Sequence, residues 1–127
     1  MRAFMATEVI SHESMYDALR RWPRYKLEVP LRILAQKSGK TVIVQGRGNE
    51  LNEGGMAVFA GLELALEEEV AVEFTPPYSG QPIRVRAIVR DRKGYSYGME
   101  FLGLTIDDHQ NVSQIRTVLR GLGSPIR

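Results

Sequence analysis

The sequence predicts a mainly β domain, a six-stranded antiparallel β-barrel with a C-terminal α-helix and a short N-terminal helical segment. Three observations support this class. Six short segments between residues 25 and 101 alternate apolar and polar side chains, as strands with one buried face do. Turn signals rich in glycine or proline separate these segments. After residue 106 the apolar spacing becomes helical.

The first strand segment begins at Tyr25, and Pro30 within it indicates a sheet edge or a bulge. Ser38-Gly39-Lys40 is predicted to turn the chain into the second strand. A polar loop is expected from Asn49 to Gly55. The remaining strand segments are 41–47, 56–60, 69–74, 83–90 and 95–101. In the last of them Tyr95 and Tyr97 are expected on the core side. Six short strands with turns between them are typical of an antiparallel barrel.

Both ends of the chain are predicted to be helical. Residues 8–20 carry a loose apolar stripe, which Pro23 ends. Near the C-terminus, one helical face carries Val112, Ile115, Leu119 and Leu122. Asp107 is the expected N-cap of this helix, with Gln110 completing a capping box. We therefore divide the chain into an N-terminal arm (1–18) and a barrel domain with its C-terminal helix (19–127).

Composition and motifs limit the classes of function that this chain can have. The 127 residues include no cysteine and carry a formal charge of only +2, so one domain without disulfides or thiolate metal sites is expected. His12 and His109 lie too far apart to suggest a metal pair, and no nucleophile or phosphate-loop motif is present. No segment resembles a signal peptide or a membrane span. We expect a cytoplasmic protein that is not an enzyme and has no metal or cofactor.

Charged and apolar surface segments leave alternatives open. Arg84, Arg86 and Arg90 alternate on one outward strand face, where a solvated face is favoured over contact with nucleic acid or an acidic partner. Glu67-Glu68-Glu69 is expected to form a solvated turn. Apolar residues of the arm, Val9, Ile10 and Met15, fit either a homodimer contact or packing on the chain's own barrel.

Two polar stretches are candidate binding elements. Arg20, Arg21 and Arg24 surround Pro23, so their guanidinium groups project from an irregular turn and can converge on a ligand. Arginine donates paired hydrogen bonds to phosphate and stacks on bases. A solvated basic entry to the barrel is the alternative.

The second stretch is Glu50-Leu51-Asn52-Glu53-Gly54-Gly55. Its carboxylate and amide can hydrogen-bond a guanine edge. Its two glycines allow close approach of a ligand or of another chain segment. An ordinary polar turn is the alternative.

Together the two stretches resemble the PilZ domain family. The family signature is Arg-x-x-x-Arg before the first strand, followed by [Asp/Asn]-x-Ser-x-x-Gly between two barrel strands. Arg20 and Arg24 match the first element. In the second, Gly55 matches, whereas Glu50 replaces the acidic or amide residue and Asn52 replaces the serine. The segments 53–58 and 97–104 are also similar to the family.

The resemblance implies a bacterial receptor for the second messenger cyclic di-GMP. By position, Arg20 and Arg24 would clamp the ligand with Arg21 as a helper, and Glu50, Asn52 and Gly55 would line the barrel side. Binding would rearrange the arginine segment and signal to an unidentified protein partner. The main alternative is a PilZ-like adaptor that acts through protein contacts alone. A third is a barrel that binds single-stranded nucleic acid, for which the sequence offers few exposed aromatic residues.

Overall fold

The computed structural model describes residues 23–76 and 80–122. The arm at 1–18, the helical segment predicted at 8–20, and both Arg20 and Arg21 lie outside these ranges. The elements of the described residues are the strands β1 (Tyr25–Lys37), β2 (Lys40–Leu51), β3 (Gly55–Ala60), β4 (Glu69–Phe74), β5 (Ile83–Lys93) and β6 (Ser96–Phe101), and the helix α1 (Ile106–Arg120).

The strands form a closed barrel in the order β1-β2-β3-β6-β5-β4, and every neighbouring pair is antiparallel. Closure comes from β1, which pairs with β2 along its length and with β4 from Leu31 to Leu34. Because the barrel is closed, each strand of the described residues has a neighbour on both sides. The predicted six-stranded antiparallel barrel with a C-terminal helix is confirmed.

The alternating pattern of the sequence determines which side chains fill the barrel. In β1 the buried residues are Leu27, Val29, Leu31, Ile33 and Ala35. Tyr97 is also buried, and its hydroxyl accepts from the Leu64 N–H at 3.0 Å and donates to the Leu62 carbonyl at 2.7 Å. These two bonds fasten the loop after β3 across the barrel interior.

Two predicted details of the strands differ from the structure. β2 continues to Leu51 instead of ending near Arg47, because a bulge between Gly48 and Glu50 absorbs one residue and pairing with β3 resumes beyond it. Tyr95, expected in the core, is 49% exposed because it precedes β6 in the turn after β5.

Of the two positions predicted for the Pro30 strand, a sheet edge or a bulge, the structure excludes the edge, because β1 is paired on both sides. Pro30 is opposite Arg47 of β2, one residue before the ladder with β4 begins at Leu31. The ladder with β2 contains an irregularity between Lys26 and Val29, which agrees with the bulge alternative. A proline has no N–H to donate, so its place beside an irregularity and outside the β4 ladder limits the loss.

The turn predicted at Ser38-Gly39-Lys40 connects β1 and β2. Ser38 has φ 53° and Gly39 has φ 76°. Two central residues of positive φ characterise the hairpin turns whose twist matches that of the flanking strands. The glycine therefore has a conformational role, since residues with a side chain adopt this region less readily.

The outward charges include exposed residues, as expected of a solvated face, such as Arg84, Glu67 and Glu69, and they are also paired across strands. Arg84 contacts Glu73 at 3.3 Å, and the carboxylate of Glu73 also pairs with Arg32. Glu67, Glu68 and Glu69, predicted as a solvated turn, each contact a cation, namely Arg90, Lys37 and Arg86. Distant segments are thus linked over the barrel surface.

Helix α1 begins two residues earlier than predicted. Its N-cap is Thr105, which accepts from the Asp108 N–H, while the Asp108 side chain accepts from the Thr105 N–H. The predicted cap at Asp107 with Gln110 was wrong, because the Asp108 carboxylate is drawn to Arg86 on β5, with contacts of 3.0 and 2.9 Å. Ile115 and Leu119 are buried against the barrel core, as their spacing predicts.

The Asp108 contact gives a testable acid dependence. Its bonds with Arg86, aided by the N–H groups of Leu104 and Thr105 and opposed by burial, lower the pKa of Asp108 from 3.8 to about 2. A carboxyl whose pKa is lower in the folded chain stabilises the fold above the unfolded pKa, and this stabilisation is lost as pH falls towards the folded pKa. Between pH 5 and pH 2, urea unfolding should show a larger fall in the free energy of unfolding for the wild type than for Asp108→Asn.

Asp107→Asn is the matched control, since Asp107 is an exposed acid in the same helical turn. The free energy of unfolding of Asp107→Asn should fall with pH as that of the wild type does. Parallel curves for Asp108→Asn and the wild type would contradict the assignment.

Candidate functional site

A shallow pocket lies on the outer surface where β2, β3, β6 and β5 run side by side. One row of paired residues crosses these strands, from Glu50 to Ala57, then to Gly98, then to Asp91. The two central residues have one side-chain carbon or none, so the middle of the row forms a low floor. The outer two carry carboxylates and form opposite walls.

Two β-bulges place these walls. One lies on β2 between Gly48 and Glu50, and the other on β5 between Val89 and Asp91. A bulge bends its strand and redirects the side chains beside it, and bulges are frequent next to functional sites. The pocket is therefore bordered on both sides by strands whose regular pairing is interrupted.

The two candidate binding stretches meet at this pocket. Arg24, just before β1, approaches Glu50 at the end of β2, with 3.4 Å between Nη1 and Oε1. The side chains are 48% and 37% exposed. Exposed pairs of this kind contribute only about 0–1 kcal/mol, so a ligand can separate these charges at small cost.

Asn52 lines the pocket but also holds the loop before β3. Its Oδ1 accepts from the N–H groups of Gly54 and Gly55 at 2.7 and 2.8 Å, and its own N–H donates to the Gly55 carbonyl at 3.0 Å. Asn52 is 9% exposed. An asparagine that folds back on the following backbone groups stabilises a turn. This substitution for the family's serine therefore has a clear structural use.

Gly55 is required by the packing of the barrel. A Cβ at this position would lie 2.0 Å from the carbonyl oxygen of Met99 on β6. No heavy-atom contact of that length is tolerated, so β3 and β6 can approach as they do only with glycine here. Of the two uses that the sequence left open for the glycines, close approach of another chain segment is the one seen at Gly55.

Arg90 is a member of the pocket that the site prediction omitted. It follows Val89 at the β5 bulge and is 15% exposed. Its Nε donates to Glu100 and its Nη1 to Glu67, both at 2.6 Å. Burial opposes the charged form, but these bonds outweigh it and raise the pKa of Arg90. Strand alternation placed Arg90 on the outward face, but which strands lie beside it there depends on the pairing of β5 with β6, which no local pattern gives.

The pocket unites four of the six predicted site residues, Arg24, Glu50, Asn52 and Gly55. Arg20 and Arg21 lie outside the described residues. The pocket has a volume of about 140 Å³, below the roughly 300–1,000 Å³ of sites that enclose small molecules. The described residues therefore provide room for part of a nucleotide-sized ligand.

Within residues 23–76 and 80–122, no three His, Cys, Asp or Glu side chains are grouped so as to hold a metal ion. In the same ranges no helix combines the length and the apolar character needed to cross a membrane.

Comparison with known proteins identifies similar sequences and folds. A family model for the PilZ domain matches residues 18–117. No curated protein sequence matches the chain. The crystal structure of the PilZ domain of CeSA from a cellulose-synthesizing bacterium is similar with a TM-score of 0.61 and 18% identity, covering 76% of this chain and 97% of that one.

Two further solved structures are similar. The PilZ domain with c-di-GMP of YcgR from Escherichia coli has a TM-score of 0.56 and 16% identity, covering 80% of this chain and 92% of that one. The Bacillus subtilis inhibitor of motility (MotI/DgrA) has a TM-score of 0.55 and 18% identity, covering 80% of this chain and 50% of that one. At these identities the structural similarity concerns the fold alone.

The packing at Gly55 predicts a strong effect of a single methyl group. Gly55→Ala should lower the free energy of unfolding by about 3 kcal/mol, the upper part of the usual range for overpacking, because β3 must move away from β6. Urea unfolding measures this. Gly61→Ala is the control, since a Cβ there meets nothing within 4 Å. Equal stability of the two variants would refute the packing argument.

Proposed function

The chain belongs to the PilZ domain family, and on that basis we propose that it is a receptor for cyclic di-GMP that binds at the pocket of Arg24 and Glu50. One observation carries the proposal for this chain. Two motifs separated by 26 positions, one before β1 and one at the end of β2, meet with 3.4 Å between Arg24 and Glu50. The ligand is thus assigned to the place where the family's two motifs converge.

Each residue has a role that suits its chemistry. In our proposal Arg24 donates to a phosphate or stacks on a base. Glu50 accepts from the N–H groups of a guanine edge, a bond between a charged acceptor and paired donors. Asn52 and Gly55 keep the loop and β3 in position beneath the ligand, through the contacts described above.

The remaining contacts are assigned to Arg20 and Arg21. These residues precede Arg24 by four and three positions, so they lie within a few residues of the pocket along the chain. We propose that the ligand, which exceeds the described pocket, is covered by the segment 19–25. A ligand favours whichever arrangement offers it more contacts. Binding would thereby change the surface presented to a protein partner.

Isothermal titration of the chain with cyclic di-GMP tests the proposal. We expect binding that Arg24→Ala weakens by roughly 10- to 100-fold, the equivalent of about 1.5–3 kcal/mol for hydrogen bonds to a charged group. Arg84→Ala is closely matched, since Arg84 is 56% exposed and has an ion pair of 3.3 Å with Glu73. This control should bind as the wild type does.

A wild-type chain that shows no heat of binding, and no protection of Arg20 or Arg21 from chemical modification by the ligand, would refute the receptor. The adaptor alternative would then be the better account. Equal weakening by Arg24→Ala and Arg84→Ala would show that general charge, and not the pocket, attracts the ligand.

The role of Glu50 has its own test. If Glu50 accepts from guanine, Glu50→Gln should weaken binding by about tenfold or more, because a neutral amide replaces a charged acceptor. If Glu50 only occupies Arg24 in the free protein, the same change should strengthen binding, since Arg24 is released. Titration of this variant beside the wild type separates the two roles, and tighter binding would contradict ours.

A further inference from the structure

Asp91 forms the wall of the pocket opposite Glu50. It directly follows the bulge in β5 and pairs with Gly98 of β6. A Cβ at position 98 would lie 3.2 Å from the Cβ of Asp91. A side chain at position 98 would therefore crowd the start of the Asp91 side chain, and with glycine there both residues line the pocket.

Asp91 is exposed, and its carboxylate makes no hydrogen bond or ion pair within the described part of the chain. Its cationic neighbours in β5 are engaged elsewhere. Arg90 is held by Glu100 and Glu67, and Arg92 donates to the carbonyls of Gly94 and Leu64 at 3.0 and 3.1 Å. In contrast, the carboxylates of Glu67, Glu68, Glu69, Glu73, Glu100 and Asp108 all contact a cation.

We propose that Asp91 is a specificity-determining residue that accepts from the Watson–Crick edge of one guanine of the ligand and thereby selects guanine over adenine. This inference rests on the proposed function and deepens it, because neither binding motif contains Asp91. Glu50 and Asp91 stand at the two ends of a four-strand row, about 14 Å apart at the usual strand spacing. A ligand that carries two bases on one sugar–phosphate ring can contact both walls.

The selection follows from donor and acceptor chemistry. Guanine presents the N1–H and the N2 amino group side by side, and a carboxylate accepts from both at once. Adenine presents its N6 amino donor beside the ring nitrogen N1, which is an acceptor, so a carboxylate can accept one bond there and its other oxygen would face the lone pair of N1. A site that hydrogen-bonds a ligand group discriminates strongly against analogues that cannot form the bond. This discrimination is stronger than pocket shape alone provides.

Titration of the full chain with cyclic di-GMP and with cyclic di-AMP tests this role. We expect Asp91→Asn to weaken cyclic di-GMP binding about tenfold or more, because a charge-assisted bond is lost. Binding of cyclic di-AMP should stay the same or improve, so the preference for guanine falls by at least tenfold. Asp107→Asn removes the same charge from another exposed acid that makes no ion pair within the described residues, outside the pocket. It should leave both affinities and their ratio unchanged.

The outcomes separate this inference from the function on which it rests. If the wild type binds cyclic di-GMP and Asp91→Asn keeps its preference within about twofold, the role of Asp91 is refuted and the receptor stands. If Asp91→Asn binds both dinucleotides more tightly by the same factor, Asp91 only repels phosphate, which also refutes base reading. If the wild type binds neither dinucleotide, receptor and inference fail together. Asp91 is exposed, and a circular dichroism melt confirms that the variant is folded.

Discussion

The fold of the site depends on how closely β3 approaches β6. At Gly55 the backbones are so near that the carbonyl of Met99 occupies the space of a side chain. That approach sets the register in which Ala57 faces Gly98, and this pair of small residues forms the pocket floor. Gly55 thus shapes the pocket through the packing of β3 against β6. It creates the surface on which a ligand can lie, and it need not touch the ligand.

The walls of the pocket differ from the rest of the barrel surface in how their charged side chains are paired. Over most of the barrel, carboxylates and guanidinium groups join distant strands, as Asp108 and Arg86 do between α1 and β5. Such pairs hold their partners in fixed positions. At the pocket, Arg90 is held by Glu100 and Glu67. The two walls are less engaged, because Arg24 and Glu50 form an exposed pair and Asp91 has no cation within the described residues. Charges that are weakly engaged in the free protein cost little to redirect towards a ligand.

Solved structures with the same barrel share 16–18% of their residues with this chain. Such divergence is compatible with one fold because the barrel needs only alternating apolar residues, turn residues and a few positions without side chains. The outer row of β2, β3, β6 and β5 is not constrained in this way. Residues at the ends of this row, such as Glu50 and Asp91, can differ and so change what is bound while the barrel stays the same.

The sequence by itself determined the strands, the inward residues such as Leu31 and Ile33, the amphipathic face of α1 and the two motifs of the family, because these depend on local periodicity and residue type. Tertiary structure alone decided that β2 extends to Leu51, that Asp108 binds Arg86 on β5, and that Asp91 borders the pocket. Each of these depends on pairing between segments far apart in the chain. A bulge shifts every later side chain to a new neighbour, and no local pattern records where it occurs.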